Sequence, residues 1–422
     1  MKFNKKEVSW ALYDWANSAF ATTVMAGFFP LFFKTYFASG VEAEKSTFIL
    51  GASNSLGFLL MALIAPLIGA IADKRSSRKK FLFFFTLMAT TFVFGLSYIG
   101  KGDWQLAALF YIISILGFSG ANVFYDSLLI HSTSENNIHN TSALGYSLGY
   151  LGGGILFAFN VIMVLNPGWF FLDGPEQAVK VSFAMVSIWW LIFTVPILFF
   201  VSEPGEKSSV PFSTTITEGF KQFAGTLKKI KALKVIFLFL VAYWLYIDAV
   251  DTIIVMAVDF GLSIGLNSND LIKALLITQF VGFPATLVYG KIGDKYGPKT
   301  GIYFAITVYI LVCVGAYFMK STTHFYILAV TIGLVQGGIQ SLSRSLYTQL
   351  IPKEMSGEFF GFYNMLGKFA SVLGPLLMGS IALYTRNSRF SMFGLIILFL
   401  LGGILLSFVD LKEGKKYKEQ IL

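Results

Sequence analysis

The sequence predicts an all-α integral membrane protein with twelve transmembrane helices in two six-helix bundles. Three observations carry this: too little charge for a soluble surface, apolar runs of membrane-spanning length, and a motif that occurs twice. Of 422 residues, 55% are hydrophobic and 13% charged, about half the charge of an ordinary soluble domain. The apolar runs are about 20 residues long, the length that crosses a hydrocarbon core of about 30 Å. They fall near 10–37, 47–72, 81–100, 104–131, 141–166, 178–202, 234–260, 270–290, 300–319, 324–349, 357–384 and 390–409.

The first run, Trp10 to Phe37, exceeds a signal-peptide core and has no small-residue cleavage site after it, so it reads as a permanent first helix. The net charge of +9 is a topology signal. With the amino terminus inside, most of the 32 Lys and Arg residues fall on the cytoplasmic side, as the positive-inside rule requires. This places the chain in the lipid bilayer of a cell (inner) membrane with both termini cytoplasmic, its basic charge on the cytoplasmic side and no nucleic acid as partner. The longest polar stretch, Glu203 to Lys234, holds Pro204, Gly205, Pro211 and the basic run from Lys228 to Lys231. It divides the chain into 1–202, a linker 203–233 and 234–422. An amphipathic surface helix from Thr217 to Leu233, or a solvated basic loop, fits it equally.

Chemistry-bearing clusters are scarce. One cysteine, Cys313, rules out an internal disulfide framework and a Cys-based zinc cluster. His131, His139 and His324 have no metal-ligand spacing, so no metal, cofactor or catalytic group is expected. Gly145-Tyr146-Ser147-Leu148-Gly149 spells a hydrolase nucleophile elbow, but that motif needs a strand-to-helix turn, and this run lies in the fifth span. Small residues there let helices approach closely.

Charge inside the spans is the informative exception. Each such residue costs about 2.5–3.5 kcal/mol on insertion scales, so each must be paired or face a water-filled cavity. Six stand out: Asp14 in span 1, Asp126 in span 4, Asp248 and Asp251 in span 7, Arg344 in span 10 and Lys368 in span 11. Residues three and four apart share a helix face, which adds Asn17, Asn122, Gln336, Gln340 and Asn364. Counting 1.5 Å per residue, Asp14, Asp126 and Arg344 lie within about two turns of the inner surface. Asp248 and Lys368 lie near the midplane. The first three are expected to close a cytoplasmic gate. Asp248, Asp251, Gln336, Gln340, Asn364 and Lys368 are expected to form a substrate site.

The repeat joins the halves. Gly69-Ala70-Ile71-Ala72-Asp73-Lys74-Arg75 follows span 2, and Gly290-Lys291-Ile292-Gly293-Asp294-Lys295 follows span 8. The glycines and the aspartates are separated by the same number of residues. Both segments resemble the signature loop of the major facilitator superfamily, in which Gly69 and Gly290 allow close packing. Asp73 and Asp294 can face a helix amino terminus or a basic partner. The resemblance implies a central cavity lined by spans 1, 4, 7 and 10, where five of the six charges fall. It also implies a monomer that works by alternating access. The Gly145–Gly154 run resembles the glycine-rich fifth span of the superfamily's antiporters. Tyr150 stands where that motif has proline, and span 4 lacks the arginine many proton-coupled members carry, so drug/proton antiport is not implied.

Three further segments narrow the match: Trp10–Phe20, Gly337–Ser345, and Glu358–Tyr363 with Gly367-Lys368-Phe369 and Gly374-Pro375. Together they resemble the branch that contains the fungal autophagy-related vacuolar amino-acid effluxers and their bacterial relatives. That resemblance implies a secondary transporter of an amino acid or similar small zwitterion. Arg344 or Lys368 would meet a carboxylate and Asp248 or Asp14 an ammonium, and one acid is a candidate for a coupling proton. A sugar, organic acid or peptide transporter is the alternative, with a non-transporting membrane sensor behind it.

Overall fold

The computed structural model describes residues 3–203, 221, 225, 234–263, 266–386 and 388–414. The predicted linker and its amphipathic helix, apart from two isolated positions, lie outside the described residues. Among the described residues the regular structure is helical. In chain order the helices are α1 (Lys5–Phe37), α2 (Ala43–Lys74), α3 (Arg78–Leu96), α4 (Trp104–Ser132), α5 (Ile138–Leu165) and α6 (Pro175–Phe200). They continue as α7 (Lys234–Ser263), α8 (Ser268–Tyr296), α9 (Pro298–Tyr317), α10 (Thr322–Leu350), α11 (Ser356–Thr385) and α12 (Ser391–Ser407).

Ten of these are long and apolar enough to cross a membrane among the described residues. The expected twelve therefore stand two short by that measure. At 17 residues, α12 spans only about 25 Å. The other is α11, several of whose side chains lie outside the described residues.

Local chemistry sets the helix ends. The Asn4 side chain accepts the Glu7 N–H while Glu7 accepts the Asn4 N–H, a reciprocal cap at the start of α1. Pro175 opens α6 and Pro298 opens α9, where a missing N–H costs nothing. The two signature loops turn alike. Ser76, three residues after Asp73, has φ 46°, and Gly297, three after Asp294, has φ 81°. Both lie in the region that favours glycine. The middle of α1 is wound as a π-helix over Phe20–Phe28 and again over Phe33–Phe37, on either side of a short α-helical turn that holds Pro30.

Burial follows the repeat. One apolar cluster draws on residues between Trp10 and Val201, and a second on residues between Val235 and Val409 together with Ile130. The two halves meet along α5 against α8 and along α2 against α11, and the repeat exchanges these pairs. Near the signature-loop end, α5 also meets α10, and α4 meets α11.

Candidate functional site

The inner charges converge at that end. Arg344 of α10 is 1% exposed, yet every group that binds it comes from the other half. Its Nη1 reaches Asp126 Oδ1 at 3.1 Å and Asp14 Oδ2 at 3.6 Å. Its Nε donates to the Ser142 hydroxyl at 3.0 Å and its Nη2 to the Ser142 carbonyl at 2.9 Å. The guanidinium lies 4.1 Å from the Tyr146 ring centroid, 4.8 Å from Trp10 and 5.3 Å from Tyr125. Asn364 of α11 donates to the second Asp126 oxygen at 3.0 Å. A buried cation held by two acids, two serine oxygens and three aromatic faces has replaced most of its hydration.

The signature loops form two unequal latches beside this cluster. The Asp73 carboxylate accepts the Gly357 and Glu358 N–H groups at 2.8 and 2.9 Å. It thereby caps the amino terminus of α11 from the other half, where a negative charge is favoured. Arg78 pairs with it at 2.7 Å, donates to the Glu354 carbonyl at 3.1 Å and meets Glu203 at 3.5 Å. A side chain at Gly69 would collide with the Gly357 carbonyl. The repeat equivalent is looser. Asp294 is exposed and accepts the Asn140 side-chain amide in the first turn of α5, while a Cβ at Gly290 would lie 2.9 Å from the Ala143 Cβ. Here Lys299 donates instead to the Val409 carbonyl. His139 adds a bond to Ser345 at 2.8 Å and one to Gln349 at 3.2 Å.

Of the residues read as a substrate site, Asp251, Gln336 and Gln340 lie around Tyr150, while Asp248 and Asn364 have other partners. Asp248 is fully buried and faces α11, where one oxygen accepts the Gly374 N–H at 3.0 Å. Asp251, one turn on, is half-buried and lies within electrostatic range of Tyr146 and Tyr150. Asn364 joins the Arg344 cluster. Lys368 falls within α11, and its side chain lies outside the described residues. Gln336 and Gln340 are half-buried and meet Tyr150, whose hydroxyl donates to Gln340 at 3.2 Å. Beside Gln336 an apolar cavity opens among Met256, Phe260, Leu275, Cys313 and Met319.

Tyr150 enters the other half through a slot that two glycines leave open. A Cβ at Gly282 of α8 would sit 3.1 Å from the tyrosine Cγ, and one at Gly337 of α10 would sit 2.7 Å from its Cε2. Alanine at 337 would also strike the Thr286 hydroxyl. Gly337→Ala is expected to cost about 1–3 kcal/mol by overpacking. An unchanged melting temperature in detergent would show that the ring has room to yield. Beside this slot, Ser147 donates to the Phe283 carbonyl at 2.7 Å. Gly149, Gly152 and Gly153 point the other way, onto Trp15, Ser18 and Thr22 of α1. The small-residue run of α5 therefore seats α1, and its larger neighbours bind the opposite half.

Sequence reasoning missed Trp10, Tyr125, Tyr146, Ser142, Arg78, Glu203 and the contact made by His139. Aromatic residues make up 17% of the chain, so three that surround a cation carry no local mark. Among the described residues no cluster of His, Cys, Asp or Glu has the arrangement of a metal site.

Comparison with known proteins adds to this geometry. The family model described as "Vacuole effluxer Atg22 like" matches residues 36–136 and 130–419. The chain is 41% identical to the MFS-type transporter YxiO of Bacillus subtilis, over 99% of this chain and 98% of that one. It is 22% identical to autophagy-related protein 22 of Vanderwaltozyma polyspora, over 97% and 92% of the two chains. The proton:xylose symporter XylE has the same fold, with a TM-score of 0.72, 12% identity and coverage of 96% and 94%.

Proposed function

The chain belongs to the Atg22-like family of major facilitator transporters, and from that premise we propose that it moves a small zwitterion, an amino acid or a close analogue, across a cell membrane. In this reading it is a secondary transporter with twelve spans in two six-helix bundles, 1–202 and 234–422, joined by a cytoplasmic linker. Both termini are cytoplasmic and the protein works as a monomer. The observation that carries alternating access is the Arg344 cluster, because a buried ion pair that joins two separately cored halves has to break for that end to open. Asp14, Asp126 and Arg344 form this gate. Asp73, Asp294, Gly69 and Gly290 latch it.

Asp251, Gln336 and Gln340 line the approach between the halves, with Lys368 and Asp248 deeper along α11 and α7. Acids and amides together suit a solute with both an ammonium and a carboxylate. A coupling proton fits the buried acids, and XylE, which shares the fold, is a proton symporter. The test is uptake into proteoliposomes of labelled amino acids, a sugar, an organic acid and a dipeptide, with and without a pH gradient. Uptake of amino acids that a pH gradient drives supports the reading. Uptake of only the sugar, organic acid or dipeptide overturns the solute class. No uptake of any solute favours a non-transporting sensor.

A further inference from the structure

Much of the pocket that holds Arg344 is braced without it. Trp10 and Tyr125 stack at 4.4 Å between ring centroids, and the Trp10 indole N–H donates to the Tyr125 carbonyl at 2.9 Å. The Tyr125 hydroxyl in turn donates to Asp14 at 3.0 Å. These bonds lie wholly within the amino-terminal half, so Trp10, Tyr125 and Asp14 stay braced if the arginine leaves, while Asp126 also takes the Asn364 amide from the other half. Gly145 makes the floor. A Cβ there would lie 2.6 Å from the Tyr125 hydroxyl, 2.9 Å from Trp10 Cζ3 and 3.1 Å from Arg344 Nη2.

The chemistry of this box is that of a cation receptor. Three aromatic rings crowd one point, with Tyr146 nearest at 4.1 Å, and two acids stand beside it at 3.1 and 3.6 Å from the guanidinium. Yet the cation that fills it belongs to α10 of the other half and has to leave when this end opens. Arg344 cannot be withdrawn cheaply, since two buried acids would lose their partner.

We propose that the box of Trp10, Tyr125, Tyr146, Asp14 and Asp126 is the binding site for the solute's ammonium group, and that Arg344 is its tethered competitor. The arginine fills the box while this end is closed, and the ammonium takes its place once the halves part. A solute that enters therefore stabilises the open state relative to the closed one, which is the differential affinity that a population shift requires. The acids then favour substrate on one side of the cycle and the closed gate on the other. This inference rests on the solute-transporter reading and narrows it to solutes that carry a cationic nitrogen. In this assignment Arg344 is not the group that holds a solute carboxylate.

The test uses the purified full-length chain in detergent with tetramethylammonium chloride as the probe, sodium chloride as the control and calorimetric titration as the readout. Removing the competitor in R344Q should tighten probe binding by about tenfold or more relative to the unaltered chain. Adding G145A or W10L to R344Q should abolish that gain. If R344Q fails to fold, S142A, which removes a hydrogen bond to the arginine and leaves the box intact, should tighten probe binding in the same direction, and no change there overturns the proposal. An R344Q protein that binds no tighter overturns the proposal, as does a gain that survives G145A and W10L. Because the readout is binding, failure here with intact uptake removes the box alone. Tight binding without any uptake removes the transport reading alone.

Discussion

Arg344→Leu is expected to open the signature-loop end of the molecule. The side chain is buried and makes its ion pairs and hydrogen bonds across the two halves, so their loss falls on the closed arrangement. Leucine also leaves Asp14 and Asp126 buried without a cation. Breaking a buried pair by removing one partner costs about 3–5 kcal/mol, which moves a two-state equilibrium roughly a hundredfold to a thousandfold or more. The measurement is the reactivity of a cysteine at Ser341 toward a water-soluble maleimide, in a Cys313→Ser background. Ser341 is fully buried and its carbonyl accepts the Ser142 hydroxyl at 2.8 Å. Its labelling should be slow with Arg344 in place and fast with leucine. Equal rates would show that something other than the arginine holds this end shut.

Asp73→Ala should damage the protein far more than Asp294→Ala, although the two residues occupy equivalent places in the repeat. Asp73 holds two backbone N–H groups of α11 and the Arg78 guanidinium, and its side chain is 2% exposed. Its removal strips the amino terminus of α11 of its cap and leaves Arg78 with the more distant Glu203, for a loss of about 2–4 kcal/mol. Asp294 is exposed and holds one side-chain amide, a contact worth less than about 1 kcal/mol at such a site. Melting temperatures of the two variants in detergent decide the matter. Equal losses would mean that the second latch carries load through contacts other than its aspartate.

The inequality of these latches bears on the order of opening. A strong aspartate latch between α2 and α11 beside a weak one between α8 and α5 lets the loop end loosen first at α8, while the Ser147–Phe283 bond and the Tyr150 slot still hold α5 to α8. The arginine cluster between them ties α10 and α11 to α1, α4 and α5, so it breaks only when both sides have moved.

Much of this protein was legible in its sequence for one physical reason: solvent and helix geometry act on neighbouring residues. Lipid demands apolar runs of fixed length, and the 3.6-residue period groups residues on one face, so the helices, the duplicated loops and the out-of-place charges could be read locally. Asp14, Asp126 and Arg344 stood out because charge within a membrane needs a reason. What lay beyond the sequence was partnership. Asn364 went to Asp126, Asp248 turned toward Gly374, and the α5 glycines seated α1 while Tyr150 crossed into the other half. The length of α12 also fell short of the predicted span. Trp10, Tyr125 and Tyr146 look in sequence like any aromatic residues of a membrane helix. Only packing, which brings Arg344 against groups from α1, α4 and α5, turns them into a box around a cation. Contacts between distant segments depend on how whole helices fit together, and no local pattern encodes that fit.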